Sequence, residues 1–351
     1  MCHTSLGATG VPRRSRHVDC KSGIVLEISY VLPLRSAYVP TDEFIAYVNA
    51  LAVLAEVILV DASDESVFAA IEARCSSRVS HIAPDDDLES VANGKVRGVL
   101  AGLRVASHEV IVIADDDVRH TPESLAAMLS ASATADIVRP QNFFSPLPWH
   151  ARIDTARTLI NRMTGGDWPG TLAVRRSILR QTGGYDGNVL FENLELVRTV
   201  VAAGGRFASL DSLFVRRLPP TTQHFWKQRV RQAYDEFARP FRLVVALSVL
   251  PALLALAISG RVVTAMALLT VAPIVVAELG RRRSAGRRVF PLTASLCAPL
   301  WVVERATCAW LAVASRVFVG GIRYNGRLLA TAAHSPRALT RAHNRAAQAR
   351  V

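Results

Sequence analysis

Cysteine is scarce in this chain, and the little there is makes no pattern. Cys2, Cys20, Cys75, Cys297 and Cys308 form no CxxC pair and no metal-ligand spacing. That excludes a thiolate zinc site and a disulfide framework, and a reduced, cytosol-facing chain is the simplest expectation. The first 22 residues, MCHTSLGATGVPRRSRHVDCKS, lack an apolar h-region, so they are expected to be a disordered basic leader rather than a secretory signal. Acidic residues are nearly missing from the last third. Residues 241–351 hold fifteen arginines, no lysine and two acids, Glu278 and Glu304, for a net +13, while residues 1–240 are close to neutral at −1. The overall charge of +12 therefore belongs to an apolar tail, where arginine reads as membrane-surface charge. No nucleic-acid motif accompanies it, and no nucleic-acid partner is expected.

The 351 residues are enough for one large or two ordinary domains. Residues 24–32 (IVLEISYVL) and 56–61 (EVILVD) are rich in β-branched residues and read as strands, with a helix expected over 42–54 between them. A short strand near Val79–Ala83, a helix over about 90–106 and the strand Val110–Ala114 follow. Thr121 before Pro122 reads as an N-cap opening another helix. Strand and helix alternate at short spacing, which predicts an α/β class with a mostly parallel sheet covered on both faces. Ligands of such sheets bind at the carboxyl ends of the strands, where Asp61 and Asp115–Asp117 fall.

After residue 240 the pattern changes. Leu243–Gly260 and Val262–Leu279 are each about long enough to cross a bilayer core, and RRRSAGRR (281–288) follows them. The positive-inside rule places that loop, and with two crossings residues 1–240 as well, in the cytosol. Phe290–Gly320 is apolar but carries Glu304 and Arg305 at its middle, so a helix plus a re-entrant or interfacial piece is expected.

EVIVIADDDVRH (109–120) sets three carboxylates side by side at a strand end. Such a cluster cannot ionise cheaply without a cation, and Mg²⁺ and Mn²⁺ are hard ions that bind through one or two carboxylates plus substrate phosphates. An acidic turn is the bland alternative for a bare DDD. Asp61 is placed to accept from a nucleoside, and Lys95 and Arg97 of NGKVRG are placed to meet a phosphate.

In their order along the chain these segments resemble the family 2 glycosyltransferases of GT-A fold, Rossmann-like, over roughly Val25–Ala238. The resemblance makes Asp115 and Asp117 the two aspartates of a DxD motif and metal ligands, with Asp61, Lys95, Asp115 and Asp116 on the nucleotide-sugar cofactor. GTLAVRRSILRQTGGYDGNVLFENLELVRTVVAAGG (170–205) resembles the acceptor-side segment, in which the family carries Glu-Asp with Asp as general base. Here the pair is Glu192-Asn193, so Glu192 is the expected base and Glu195 a lesser candidate. QRVRQ (228–232) resembles Q-x-x-R-W without the Trp, and Arg231 is expected to stabilise the leaving diphosphate.

The apolar tail and GGIRYNGR (320–327) resemble the lipid glycosyltransferases of the ceramide, hopanoid and carotenoid type. The implied function is inverting, metal-dependent transfer (Mg²⁺ or Mn²⁺) of a sugar from a nucleotide-sugar, a UDP-sugar before a GDP-sugar, to a lipid acceptor. The enzyme would be a multi-pass membrane protein facing the cytoplasm. A nucleotidyltransferase on a similar fold, or a membrane scaffold that lost its base, are the alternatives. The expected organisation is a leader (1–22), a catalytic domain (23–240), transmembrane or interfacial helices (241–320) and a basic tail (321–351).

Overall fold

The computed structural model describes residues 25–324 and 326–348, so the expected leader lies outside the described residues. Eight strands form one sheet: β1 (Ile28–Leu34), β2 (Glu56–Asp61), β3 (Val79–Ile82), β4 (Val110–Ala114), β5 (Val118–Arg119), β6 (Ile137–Phe144), β7 (Thr171–Arg175) and β8 (Phe207–Arg217). Their order is β3-β2-β1-β4-β7-β6-β8-β5. The run from β3 to β4 is parallel, β7 is antiparallel to both neighbours, β6 and β8 are parallel, and β5 closes the edge antiparallel to β8. The expected α/β class with a mostly parallel sheet is therefore present. What the strand pattern did not reveal is the antiparallel β7, inserted at the centre.

Both faces are covered, which is why strands such as Val110–Ala114 are apolar throughout. Phe44, Val48 and Leu51 of helix Asp42–Leu54, with Leu125 and Met128 of helix Pro122–Ala131, pack on Tyr30, Leu59 and Val112. Val96 and Val99 of helix Gly94–Val105, with Leu196 and Val200 of helix Glu192–Ala202, pack on Val31, Ile111 and Val174. Thr121 caps helix Pro122–Ala131 through a reciprocal bond with Ser124, as the sequence predicts.

Helices Pro240–Ile258 and Val262–Arg282 form a hairpin, turning at Gly260 with φ +74. Both are long and apolar enough to cross a membrane. The second ends against helix Trp149–Met163, where Gly280 lies so close to the Leu159 carbonyl that a Cβ would overlap it. Phe290–Gly320 resolves into a short helix, Leu292–Leu296, and a long one, Ala298–Phe318. The long helix is folded onto the rest of the protein, burying Trp301, Arg305, Ala309 and Ala312. Beyond residue 320, strands Ile322–Tyr324 and Arg327–Leu329 pair as a hairpin. Helix Pro336–Gln348 follows, and Leu329 and Ala332 pack with Leu190, Phe191 and Tyr234. The segment expected as a basic tail is thus a folded cap on the acceptor-side segment.

Candidate active site

The register of the sheet assembles the site. Ala114 at the end of β4 pairs with Thr171 at the start of β7, which sets Gly170 against Asp115: Asp115 N donates to Gly170 O at 2.8 Å. A Cβ on Gly170 would collide with the Asp115 carboxylate, so any larger residue here would displace that side chain. In the same way Val118 of β5 pairs with Arg217 at the end of β8, which delivers a guanidinium to the aspartates.

Arg217 Nε lies 2.9 Å from both oxygens of Asp117, and Nη2 lies 3.1 Å from Asp115 Oδ2. Lys95 Nζ stands 2.6 Å from Asp115 Oδ1, 3.0 Å from Glu192 Oε1 and 3.2 Å from Asn193 Oδ1. A continuous chain of charge therefore runs Asp117–Arg217–Asp115–Lys95–Glu192. These side chains line one cavity of about 1100 Å³, which Asp116, Arg231 and Tyr324 also line.

The two motif aspartates are not equivalent. Burial pushes the Asp115 carboxyl up, but Lys95 and Arg217 outweigh it and hold the group below the usual range. Asp117 has Arg217 alone; burial and the neighbouring Asp115 win, and its carboxyl is pushed up to about 6. Burial would lower Lys95, yet Asp115 and Glu192 hold its ammonium well above the ordinary lysine value. Asp117 is a half-buried carboxylate short of positive charge, and both aspartates offer hard oxygen donors. That donor set fits Mg²⁺ or Mn²⁺.

Of the other expected residues, Arg231 lies in the cavity with its guanidinium 5.0 Å from the Tyr324 ring centre. Asn193 serves the turn before β7: its Nδ2 donates to Pro169 O at 3.0 Å. Asp61 is only 1% exposed, and its oxygens are taken by Ser63 N (2.8 Å) and His81 Nε2 (3.2 Å). The cavity touches Val60 and Ala62 on either side of it, so Asp61 presents no free oxygen there and ties β2 to β3 instead. Glu195 is fully buried, faces away from the cavity, and accepts from His334 N at 2.7 Å and pairs with His334 Nδ1 at 2.9 Å. It latches the chain beyond the C-terminal hairpin onto helix Glu192–Ala202, and Asp186 completes that cluster.

Two groups were not found from the sequence. Arg217 sits a hundred residues beyond Asp117 in an unremarkable strand, and only the register of β8 reveals it. Asp235 lies just past QRVRQ, half-buried in the cavity wall, with its Oδ1 buried and lacking a hydrogen-bond donor among the described residues. Burial pushes its carboxyl up to about 7 against Arg231, Arg239 and Arg305, with Glu192 adding to the rise. A carboxyl raised in the fold keeps its proton after the unfolded chain has lost its own near pH 4, so stability falls as pH climbs from about 4 to that value. Asp235→Asn is expected to flatten this decline and raise the unfolding temperature at pH 8 by a few degrees. Thermal unfolding in neutral detergent at pH 5 and pH 8 measures it, and an unchanged pH dependence would refute the assignment.

The sequence profile described as "Glycosyltransferase like family 2" matches residues 46–235. "Probable glycosyltransferase YdaM" of Bacillus subtilis (strain 168) is 26% identical over 166 residues, 41% of this chain, and the chain covers only 38% of that relative's length. Among solved structures, the mannosyltransferase PcManGT from Pyrobaculum calidifontis, in complex with GDP-Man and Mn²⁺, is 17% identical with a TM-score of 0.48. The alignment covers 84% of this chain and 87% of that one. Glucosyl-3-phosphoglycerate synthase from Mycobacterium tuberculosis, in complex with Mn²⁺, UDP and phosphoglyceric acid, is 15% identical with a TM-score of 0.37, over 59% of this chain and 76% of its own.

Proposed function

The chain belongs to the glycosyltransferase-like family 2, and from that membership we propose that it moves a sugar, with inversion, from a nucleotide-sugar to a lipid acceptor. The observation that carries this reading is the line of charge from Asp117 to Glu192 along one cavity wall. Asp115 and Asp117 would hold a divalent ion, which when bound neutralises the diphosphate of the leaving nucleotide. Lys95 and Arg231 add positive charge at the phosphates. Lys95 is engaged by Glu192; turning it to the donor diphosphate frees the Glu192 carboxylate to accept the proton of an acceptor hydroxyl. Asn193 cannot accept a proton, and its amide positions the turn before β7.

Glu192→Gln is expected to lower kcat by about 10²–10⁴-fold with little change in KM for the donor. Transfer from a panel of UDP- and GDP-sugars to extracted lipid measures it. Undiminished activity would move the base elsewhere, and label carried by the nucleotide rather than the sugar would favour a nucleotidyltransferase.

Membrane anchoring is supported by the hairpin Pro240–Arg282. Only 6% and 11% of its two apolar windows is buried inside the protein, so these are not core helices of a soluble domain, and their exposed faces need a non-aqueous partner. Both ends of the hairpin meet the catalytic domain. At the start Arg242 Nη2 donates to Asn161 Oδ1 at 2.6 Å, and at the end Arg162 Nε donates to Gly280 O at 3.0 Å and Arg283 Nη1 to Arg162 O at 2.8 Å. The basic loop 281–288 and the active site therefore lie on the same side of the hairpin. The positive-inside rule makes that side cytoplasmic.

A further inference from the structure

The cavity wall also includes Asp235, Arg239 and Arg305, and none of the three is hydrogen-bonded or ion-paired to Asp115 or Asp117 among the described residues. Arg305 projects from the middle of helix Ala298–Phe318, is 4% exposed, and lies 5.7 Å from the ring centre of Trp301. Its Nε and Nη1 have no hydrogen-bond acceptor among the described residues. Arg239 gives Nη2 to Glu236 at 3.0 Å, but its Nε is also without an acceptor.

A guanidinium is a rigid fork of donors suited to phosphate, and each buried donor left unpaired costs about 1–3 kcal/mol. The nearby acids do not satisfy these forks. Glu236 is shared by Arg239 and Arg242, Asp235 makes no hydrogen bond to either arginine, and Glu304 does not line the cavity.

The position is also informative. Further along the helix that carries Arg305, Trp310, Leu311, Val317 and Phe318 are exposed. Trp310 Nε1 donates to Leu247 O of the apolar hairpin at 3.2 Å. The two forks thus sit at the root of the apolar helices, at the level a lipid headgroup would occupy.

We propose that Arg239 and Arg305 bind a phosphate group on the acceptor, which makes the acceptor a phosphorylated lipid rather than a neutral one. The word acceptor rests on the glycosyl-transfer reading; the phosphate subsite does not. The test is binding to the full-length protein in neutral detergent, by calorimetry, with dihexanoyl phosphatidic acid, dihexanoylglycerol and inorganic phosphate as probes.

The phosphatidic acid is expected to bind at least about 10-fold tighter than either other probe, and Arg305→Met and Arg239→Gln to weaken it about 10-fold each. UDP affinity in Mn²⁺ is expected to stay within about twofold in both variants, since neither arginine pairs with Asp115 or Asp117. Equal binding of the neutral lipid by wild type, or no loss in either variant, overturns the subsite and leaves Arg305 as a counterion of Asp235. Inorganic phosphate binding as tightly as the lipid overturns the headgroup assignment, and a parallel loss of UDP affinity reassigns the arginines to the donor. Because the readout needs no turnover, absent sugar transfer would sink the functional reading while leaving this result standing.

Discussion

Asp117→Asn is expected to reduce sugar transfer by about 10³-fold while leaving the protein as stable as wild type or more so. The two effects have one cause. Asp117 is held near Asp115 with a single guanidinium for compensation, and the fold raises its proton affinity to about 6. The native protein thus bears a cost in keeping this carboxylate charged, and a neutral amide of the same shape removes that cost together with the proposed metal ligand. Initial rates with saturating donor and Mn²⁺, set beside urea unfolding of the same preparations, measure both. A variant that loses activity because it unfolds would contradict the account, as would one that keeps its activity.

Arg217→Met is expected to act in the opposite sense. It leaves the half-buried Asp115 and Asp117 with Lys95 as the remaining cation at ion-pair distance among the described residues, and losing these charge-assisted bonds costs about 1–3 kcal/mol. The double variant Asp117→Asn with Arg217→Met should recover much of that loss, because one of the unpaired charges is then absent. Unfolding midpoints of the two singles and the double close the cycle. Additive losses would show that Arg217 stabilises the fold through contacts other than these carboxylates.

Much of this was legible in the sequence. Apolar β-branched runs fixed β1, β2 and β4, Thr121 and Pro122 marked a helix start, and the acidic triplet marked the ligand end of the sheet. Lys95 and Glu192 also proved to belong to the same charge network, Lys95 pairing with both Asp115 and Glu192. What failed to show was whatever depends on register. Arg217 becomes a site residue only because β8 pairs with β5, and a lone arginine at a strand end carries no such signal.

Asp61 and Glu195 illustrate the converse. Each stands at a position where an acid is plausible chemistry, and each is consumed by a local partner, His81 or His334, that lies 20 and 139 residues away in the chain. Arg305 did leave a trace, as a charge interrupting an apolar run, but its partners are a matter of tertiary packing.

The central claim is that Asp115 and Asp117 form the cation and diphosphate end of a nucleotide-sugar site. Calorimetric titration of the wild-type protein with UDP, and with GDP, in Mn²⁺ and again in EDTA tests it most directly. The account predicts nucleotide binding that requires Mn²⁺ and is lost in Asp117→Asn. Binding of equal strength in EDTA, or in the variant, would contradict it.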